Sequence, residues 1–444
     1  MRYPPPLALL LACLVAAAPG TAGAQARDTL RLGVEDALAR AGERHPAVVQ
    51  AGAERRAREA DALAGTAAFL PRIGAEVGLL RTNDPVAVFG SRLRQGRFAE
   101  ADFALDALNH PVPLTDGFTT LSIEQPLFQP EALMARRAGS AAARAAGLME
   151  SRTGKAAAFD AVRTYFGARL AQDRVAVLEE ALAVARRVLT QVRSLRRSGM
   201  VTVVDEQLAL SRVSELESSL AAADGARLAA GDLLLAVLGE SPGRPLVLTD
   251  ELAMPAAGND TLNAEPREDV AALEAGLSAA TANVSRARGS WIPSAGAFGS
   301  LGWHTGSLGL LQGPSNWTAG VVVRWTPFRG LADIGQLRRA EAERDAARER
   351  LADQRRRADA EIRLARAERV AALAAVQSAE AALSGAAEAA RVAGVRYTEG
   401  VATINELLAV RAAESAQRLA RLNALYQVRV ADAALLLSLG RLPR

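Results

Sequence analysis

Three histidines, His45, His110 and His304, are the only imidazoles in the chain, so a metal centre or a neutral-pH general base would have to draw on them. They stand far apart, without the close pairing of zinc ligands, and each reads as a surface or loop residue. The glycines from Gly299 to Gly309 sit in a strand-and-loop stretch with no helix after them. They lack the G-x-G-x-x-G spacing that lets backbone N–H groups cradle a phosphate. No G-x-S-x-G elbow presents a nucleophilic serine. Arg355-Arg356-Arg357 lies among helix formers and reads as a solvated helix face. Lys and Arg number 53 against 49 Asp and Glu, which gives no electrostatic case for nucleic acid. No catalytic, cofactor or metal site is expected, and the enzyme classes drop out.

The N-terminus reads as a targeting segment. Arg2 is the only charged residue before Arg27, Leu7–Ala18 is apolar, and Ala22-Gly23-Ala24 precedes Gln25, so residues 1–24 are expected to be a cleaved signal peptide. Leu10-Leu11-Ala12-Cys13 also admits a lipoprotein reading, with a very short apolar segment before the cysteine. Cys13 is the only cysteine, so cleavage after residue 24 leaves no disulfide or thiol chemistry. Beyond it there is no run of about eighteen uninterrupted apolar residues, and no transmembrane helix is expected.

What must be positioned, then, is carried by a repeat. "QPLFQ" (125–129) aligns with "TPFRG" (326–330), Gly199 with Gly400, and "LLLAVLG" (233–239) with "ALLLSLG" (434–440), all 201 residues apart. "FLPRIGAEVGL" (69–79) matches "WIPSAGAFGSL" (291–301) at 222, so the first copy carries 21 extra residues. The expected organisation is a first repeat over 25–240, a Pro- and Gly-rich linker over 241–263, and a second repeat over 264–444. The linker is expected to be irregular, with a short strand or turn. The extra residues fall in a loop at about 81–117, where capping a pore mouth and a self-packed loop of no specific role are both open.

From Pro130 to Gly199 nearly every residue favours a helix, a span of roughly 100 Å. Val175, Leu178, Leu182, Ala185, Leu189 and Val192 recur at three- and four-residue steps, a coiled-coil seam. Gly199 follows Arg196, Arg197 and Ser198, a helix stop. Thr202 and Asp205 then read as a capping box, and Thr403 with Glu406 repeats it after Gly400. Helices broken and restarted so briefly fold back as antiparallel hairpins, giving two tips per chain.

Period-two segments lie near 71–80, 118–126, 292–303 and 317–326. Trp317 and Trp325 bracket an apolar face, the pattern of an aromatic girdle on a lipid-facing strand. Four strands cannot close a barrel alone, and open edges are not tolerated in lipid; several chains would have to contribute to one ring.

Signal segment, twofold repeat, two strands per repeat and glycine-broken hairpins together resemble the TolC-type outer-membrane efflux proteins over essentially the whole mature chain. The resemblance implies a mainly α homotrimer with four strands per protomer in a 12-stranded membrane β-barrel. It further implies a coiled-coil tunnel from the outer membrane of a Gram-negative bacterium into the periplasm. The chain would be the passive exit duct of a tripartite efflux or type I secretion system, opened by a periplasmic adaptor and an inner-membrane transporter. Gly199, Met200, Val201, Gly400 and Val401 fall on the family's adaptor-contact tips, and Tyr397 on its periplasmic constriction. The family's gating arginine and constricting aspartate correspond to Ala402 and Ala409, so the charged latch is not carried over. The alternative is a structural coiled-coil protein of the envelope without a pore. Cargo is not legible.

Overall fold

The computed structural model describes residues 29–255 and 262–443. The expected signal segment, and Cys13 within it, lie outside the described residues. The chain begins with β1 (Leu30–Leu32), α1 (Val34–Arg44) and α2 (Pro46–Thr66), followed by β2 (Arg72–Thr82). An insertion with α3 (Pro85–Arg94) and α4 (Leu105–Asn109) leads to β3 (Leu114–Phe128). Then come α5 (Pro130–Arg197), α6 (Val203–Val237), β4 (Leu246–Leu248), α7 (Glu268–Gly289), β5 (Ser294–Thr305), β6 (Ser315–Arg324), α8 (Ala332–Thr398) and α9 (Ile404–Ser438). Thus α2, β2, β3, α5 and α6 recur as α7, β5, β6, α8 and α9.

The strands form one antiparallel sheet ordered β2-β3-β5-β6, so the two copies meet at β3 and β5. The strand expected from residue 118 begins four residues earlier, at Leu114, because β3 pairs with β2 up to Leu114↔Thr82. The linker carries a short strand, as expected. Its β4 pairs in parallel with β1, a three-residue strand not anticipated from sequence. Tyr165 ties this corner down with its hydroxyl 2.8 Å from Asp250 Oδ2 and 3.0 Å from the Leu32 carbonyl, either of which can accept its proton, and Asp250 Oδ2 also accepts from the Val34 N–H (2.8 Å).

The hairpins are unequal. α5 and α8 have 68 and 67 residues, α6 and α9 have 35 each. At 1.5 Å per residue the short arms cover about 50 Å of a 100 Å helix, and α2 and α7 pack along the sheet-side half of α5. The middle of the molecule is held by Tyr165, Phe166, Leu234, Leu238, Leu425 and Val428 together with Leu32 and Leu248. The whole predicted seam from Val175 to Val192 is buried. α8 contains one alanine-rich stretch, interrupted by Gln377 and Glu380, that is long and apolar enough to cross a membrane by length and composition alone.

Candidate functional site

Two regions carry the arrangement that matters, at opposite ends of the long helices. At the first, α5 stops at Gly199 with φ +73° and α8 at Gly400 with φ +75°. In each the residue after glycine donates its N–H five residues back, Met200 to Leu195 (2.9 Å) and Val401 to Arg396 (2.8 Å). Each glycine donates to the carbonyl three residues back, Arg196 (3.0 Å) or Tyr397 (3.1 Å). This is the two-bond closure of a left-handed helix end. A Cβ on either glycine would meet nothing within 4 Å, so glycine is required by backbone conformation and not by crowding.

The restarts differ. Thr202 accepts from the Asp205 N–H (3.3 Å), and Asp205 Oδ2 accepts from the Thr202 N–H (2.8 Å), the full reciprocal box. At the second tip Thr403 accepts from the Glu406 N–H (3.2 Å), but Glu406 pairs with Arg396 at 2.9 Å. The expected second box is therefore only half formed, because a cross-hairpin guanidinium takes the carboxylate. In the first hairpin Glu206, one residue beyond the cap, takes that cross-pairing with Arg193 (3.0 Å) and Arg196 (2.6 Å). Of these two the sequence reading includes only Arg196, in the helix stop; the spacing of both from Glu206 across the turn is the available signal.

Met200 and Val401 are exposed at 67% and 64%, and Val203 and Val204 stand beside them, also exposed; Val201 is half-buried. Tyr397 does not share that exposure. It is buried in the seam with Leu189, Val192, Ile404 and Leu407, and its hydroxyl has no hydrogen-bond partner. Burial first, and then the Asp205 carboxylate, push that hydroxyl above the usual tyrosine range. In the single chain, then, the expected constriction residue is packed inside the four-helix bundle formed by both hairpins. Ala402 lies against this same cluster.

The second region is the sheet. Its register puts Ile73, Ala75, Val77, Leu79, Leu121, Ile123, Leu301, Trp317, Ala319, Val321 and Val323 on one face. The other carries Glu76, Thr120, Ser122, Glu124, Ser300, His304, Thr318 and Arg324. Away from the β5–β6 loop the apolar face is uncovered: Ile73, Trp317, Val321 and Val323 are all exposed. Trp325 falls just past the end of β6, also exposed, and donates its indole N–H to the Trp291 carbonyl (3.2 Å).

The insertion docks against the end of the polar face. Phe98 stacks edge-to-face on Phe89 and Phe103, and Asp116 joins this unit to the strands. It accepts from Ser91 Oγ (3.0 Å) and Gln95 Nε2 (2.9 Å), and His304 Nδ1 lies 3.1 Å from its Oδ2. His304, expected on a loop or surface, is instead a β5 residue largely shielded from solvent. A lone aspartate in an alternating strand was the signal for this network. Among the described residues no group of His, Cys, Asp and Glu is arranged to hold a metal.

A sequence model described as outer membrane efflux protein matches residues 37–240 and 262–441. No match was found among curated protein sequences. Among solved structures, a membrane protein from Pseudomonas aeruginosa superposes with TM-score 0.76 at 20% identity, covering 92% of this chain and 90% of that one. The Campylobacter jejuni CmeC outer membrane channel gives 0.76 at 16% identity, with 92% and 85% covered. The open state of the Neisseria gonorrhoeae MtrE outer membrane channel gives 0.75 at 18%, with 92% and 89% covered. That sequence model spans both copies of the repeat, and the chain belongs to the outer membrane efflux protein family.

Proposed function

We propose that this chain is one third of a trimeric exit duct. The observation that carries the reading is the sheet, apolar and bare on one face, polar on the other, with β2 and β6 each leaving one edge unpaired. Exposed edges cannot face lipid, because each unpaired backbone group costs several kcal/mol there. A ring of copies pairs every β6 with a neighbouring β2, and three copies of four strands make a twelve-stranded barrel. The polar face then lines the pore, and the insertion held by Asp116 lies over its outer mouth.

The long helices carry the duct roughly 100 Å away from the membrane, where the exposed Met200, Val203, Val204 and Val401 offer a periplasmic adaptor an apolar grip. Opening is an outward movement of these tips, driven by the adaptor and an inner-membrane transporter. Because Ala402 and Ala409 provide no charged latch, closure rests on packing of the seam around Tyr397. The solved channels CmeC and MtrE, similar in fold, support this reading. The test is conductance in a planar bilayer. Folded trimers should insert and conduct, more so when the tips are truncated, and trimers that stay silent in both forms would favour a pore-less envelope protein.

A further inference from the structure

The insertion between β2 and β3 lies on the polar face of the sheet, but the loop joining β5 to β6 (306–314) goes the other way and folds over the apolar face. Two positions of β3 show it. A Cβ on Gly117 would stand 2.0 Å from the Ser307 carbonyl oxygen, so only glycine lets the loop cross there. Thr119, next along the same face, donates its hydroxyl to the Gly309 carbonyl (3.3 Å) and is 4% exposed. The return is made at Gly313, φ +89°, where a Cβ would meet the His304 carbonyl oxygen at 2.0 Å.

What the loop presents outward is apolar. Leu308, Leu310 and Leu311 are 67%, 68% and 55% exposed, and residues 306–314 contain no charged side chain. Leu311 has φ +53°, and no other non-glycine described residue has positive φ. A leucine held in the left-handed region and still left in the open gains no packing within this chain to offset that conformation.

The height of the loop matters. On the ladder Gly117 stands opposite Leu79 and Thr119 opposite Val77, so the apolar face of β2 continues to this level. On β3 the same level offers only a glycine and a threonine, and the loop covers both with its leucines turned outward. Leu121, Leu301 and Trp317 form the next lower row. Same-face rows are about 7 Å apart, which puts the loop within about two rows of an aromatic girdle position.

We infer that loop 306–314 is a lipid anchor whose three leucines enter the acyl–headgroup boundary of the surrounding outer leaflet, completing an apolar band that β3 leaves interrupted. This rests on the reading of the apolar sheet face as lipid-facing, and the test separates the two. In the full chain carrying Cys13→Ser, spin labels are attached at Leu310→Cys, Val321→Cys and Leu105→Cys, and the protein is reconstituted into phosphatidylcholine vesicles. Accessibility to oxygen is then compared with accessibility to a water-soluble nickel chelate. Val321→Cys should favour oxygen strongly, Leu105→Cys nickel, and Leu310→Cys oxygen by several-fold over Leu105→Cys. If Leu310→Cys matches Leu105→Cys while Val321→Cys is in lipid, the anchor is overturned. Shielding of Leu310→Cys from both reagents would assign the loop to a neighbouring protein surface, also overturning it. Failure of Val321→Cys to reach oxygen would sink the lipid-facing sheet itself, and the anchor with it.

Discussion

Arg396 and Glu406 are bonded across the second hairpin, Nη1 to Oε1 at 2.9 Å, so the carboxylate that would have completed the Thr403 cap serves the opposite helix. In the first hairpin the same two tasks are divided between Asp205 and Glu206. Asp205→Ala should therefore loosen the first turn of α6, at about 1 kcal/mol for a lost cap interaction. Glu406→Ala should leave the Glu406 N–H protected by Thr403 and cost less, since an exposed pair contributes under about 1 kcal/mol. Amide exchange at residues 203–206 and 404–407 reads the difference; equal deprotection at both tips would contradict it.

Gly199→Val and Gly400→Val test the tips directly. Space is open at both, so the penalty is conformational, roughly 1–2 kcal/mol for a left-handed non-glycine residue and more for a branched one. The strain is confined to the turn. Trimers on gels and the melting temperature of the helical core should hardly change, while efflux measured by substrate accumulation in cells should fall. Normal efflux in both variants would show that the tips are not the contact proposed.

Asp116→Ala removes the one carboxylate shared by Ser91, Gln95 and His304. Losing an acceptor for buried donors costs about 1–3 kcal/mol, and the expected outcome is release of the insertion without loss of the sheet. Protease cleavage within residues 84–111 should accelerate, and single-channel conductance should rise or become noisier if the insertion lies over the pore. Unchanged cleavage would place the hold elsewhere, in the Phe89, Phe98 and Phe103 stack.

Acid should weaken the middle of the molecule. Burial opposes ionisation of Asp250, but the Tyr165 hydroxyl and Val34 N–H outweigh it and hold its carboxyl below the usual carboxylate range. Asp269 is likewise depressed, its burial outweighed chiefly by Arg267. A depressed folded value means that the unfolded chain binds the proton more readily. The stabilisation is complete above the ordinary carboxylate value of about 4 and fades as pH falls through the lower folded values. Melting temperatures in detergent between neutral pH and about pH 3 should drop more steeply for the natural chain than for Asp250→Asn, which begins lower at neutral pH. Parallel curves would remove Asp250 from the acid response.

Much of the fold is legible in the sequence because its signals are short-range. The stop at Arg196-Arg197-Ser198-Gly199, the caps at Thr202 and Thr403, and the seam from Val175 to Val192 all act within a few residues, where capping and the 3.6-residue period operate. The alternation around Trp317 fixes a strand for the same reason. Nothing comparable marks β1, whose three residues are a strand only because Leu246–Leu248 lies beside them, or His304, whose role depends on an aspartate 188 residues away.

The sequence by itself determined that two copies of one unit exist, that each has a glycine-ended long helix with a capped return, and that each contributes two amphipathic strands. These follow from local backbone preference and side-chain period. Only the tertiary structure decided that β3 meets β5, that Glu406 turns to Arg396, that Tyr397 lies inside the bundle, and that the two outer loops fold to opposite faces of the sheet. Each of those is a choice between partners distant in sequence, settled by packing and hydrogen-bond competition that no local pattern encodes.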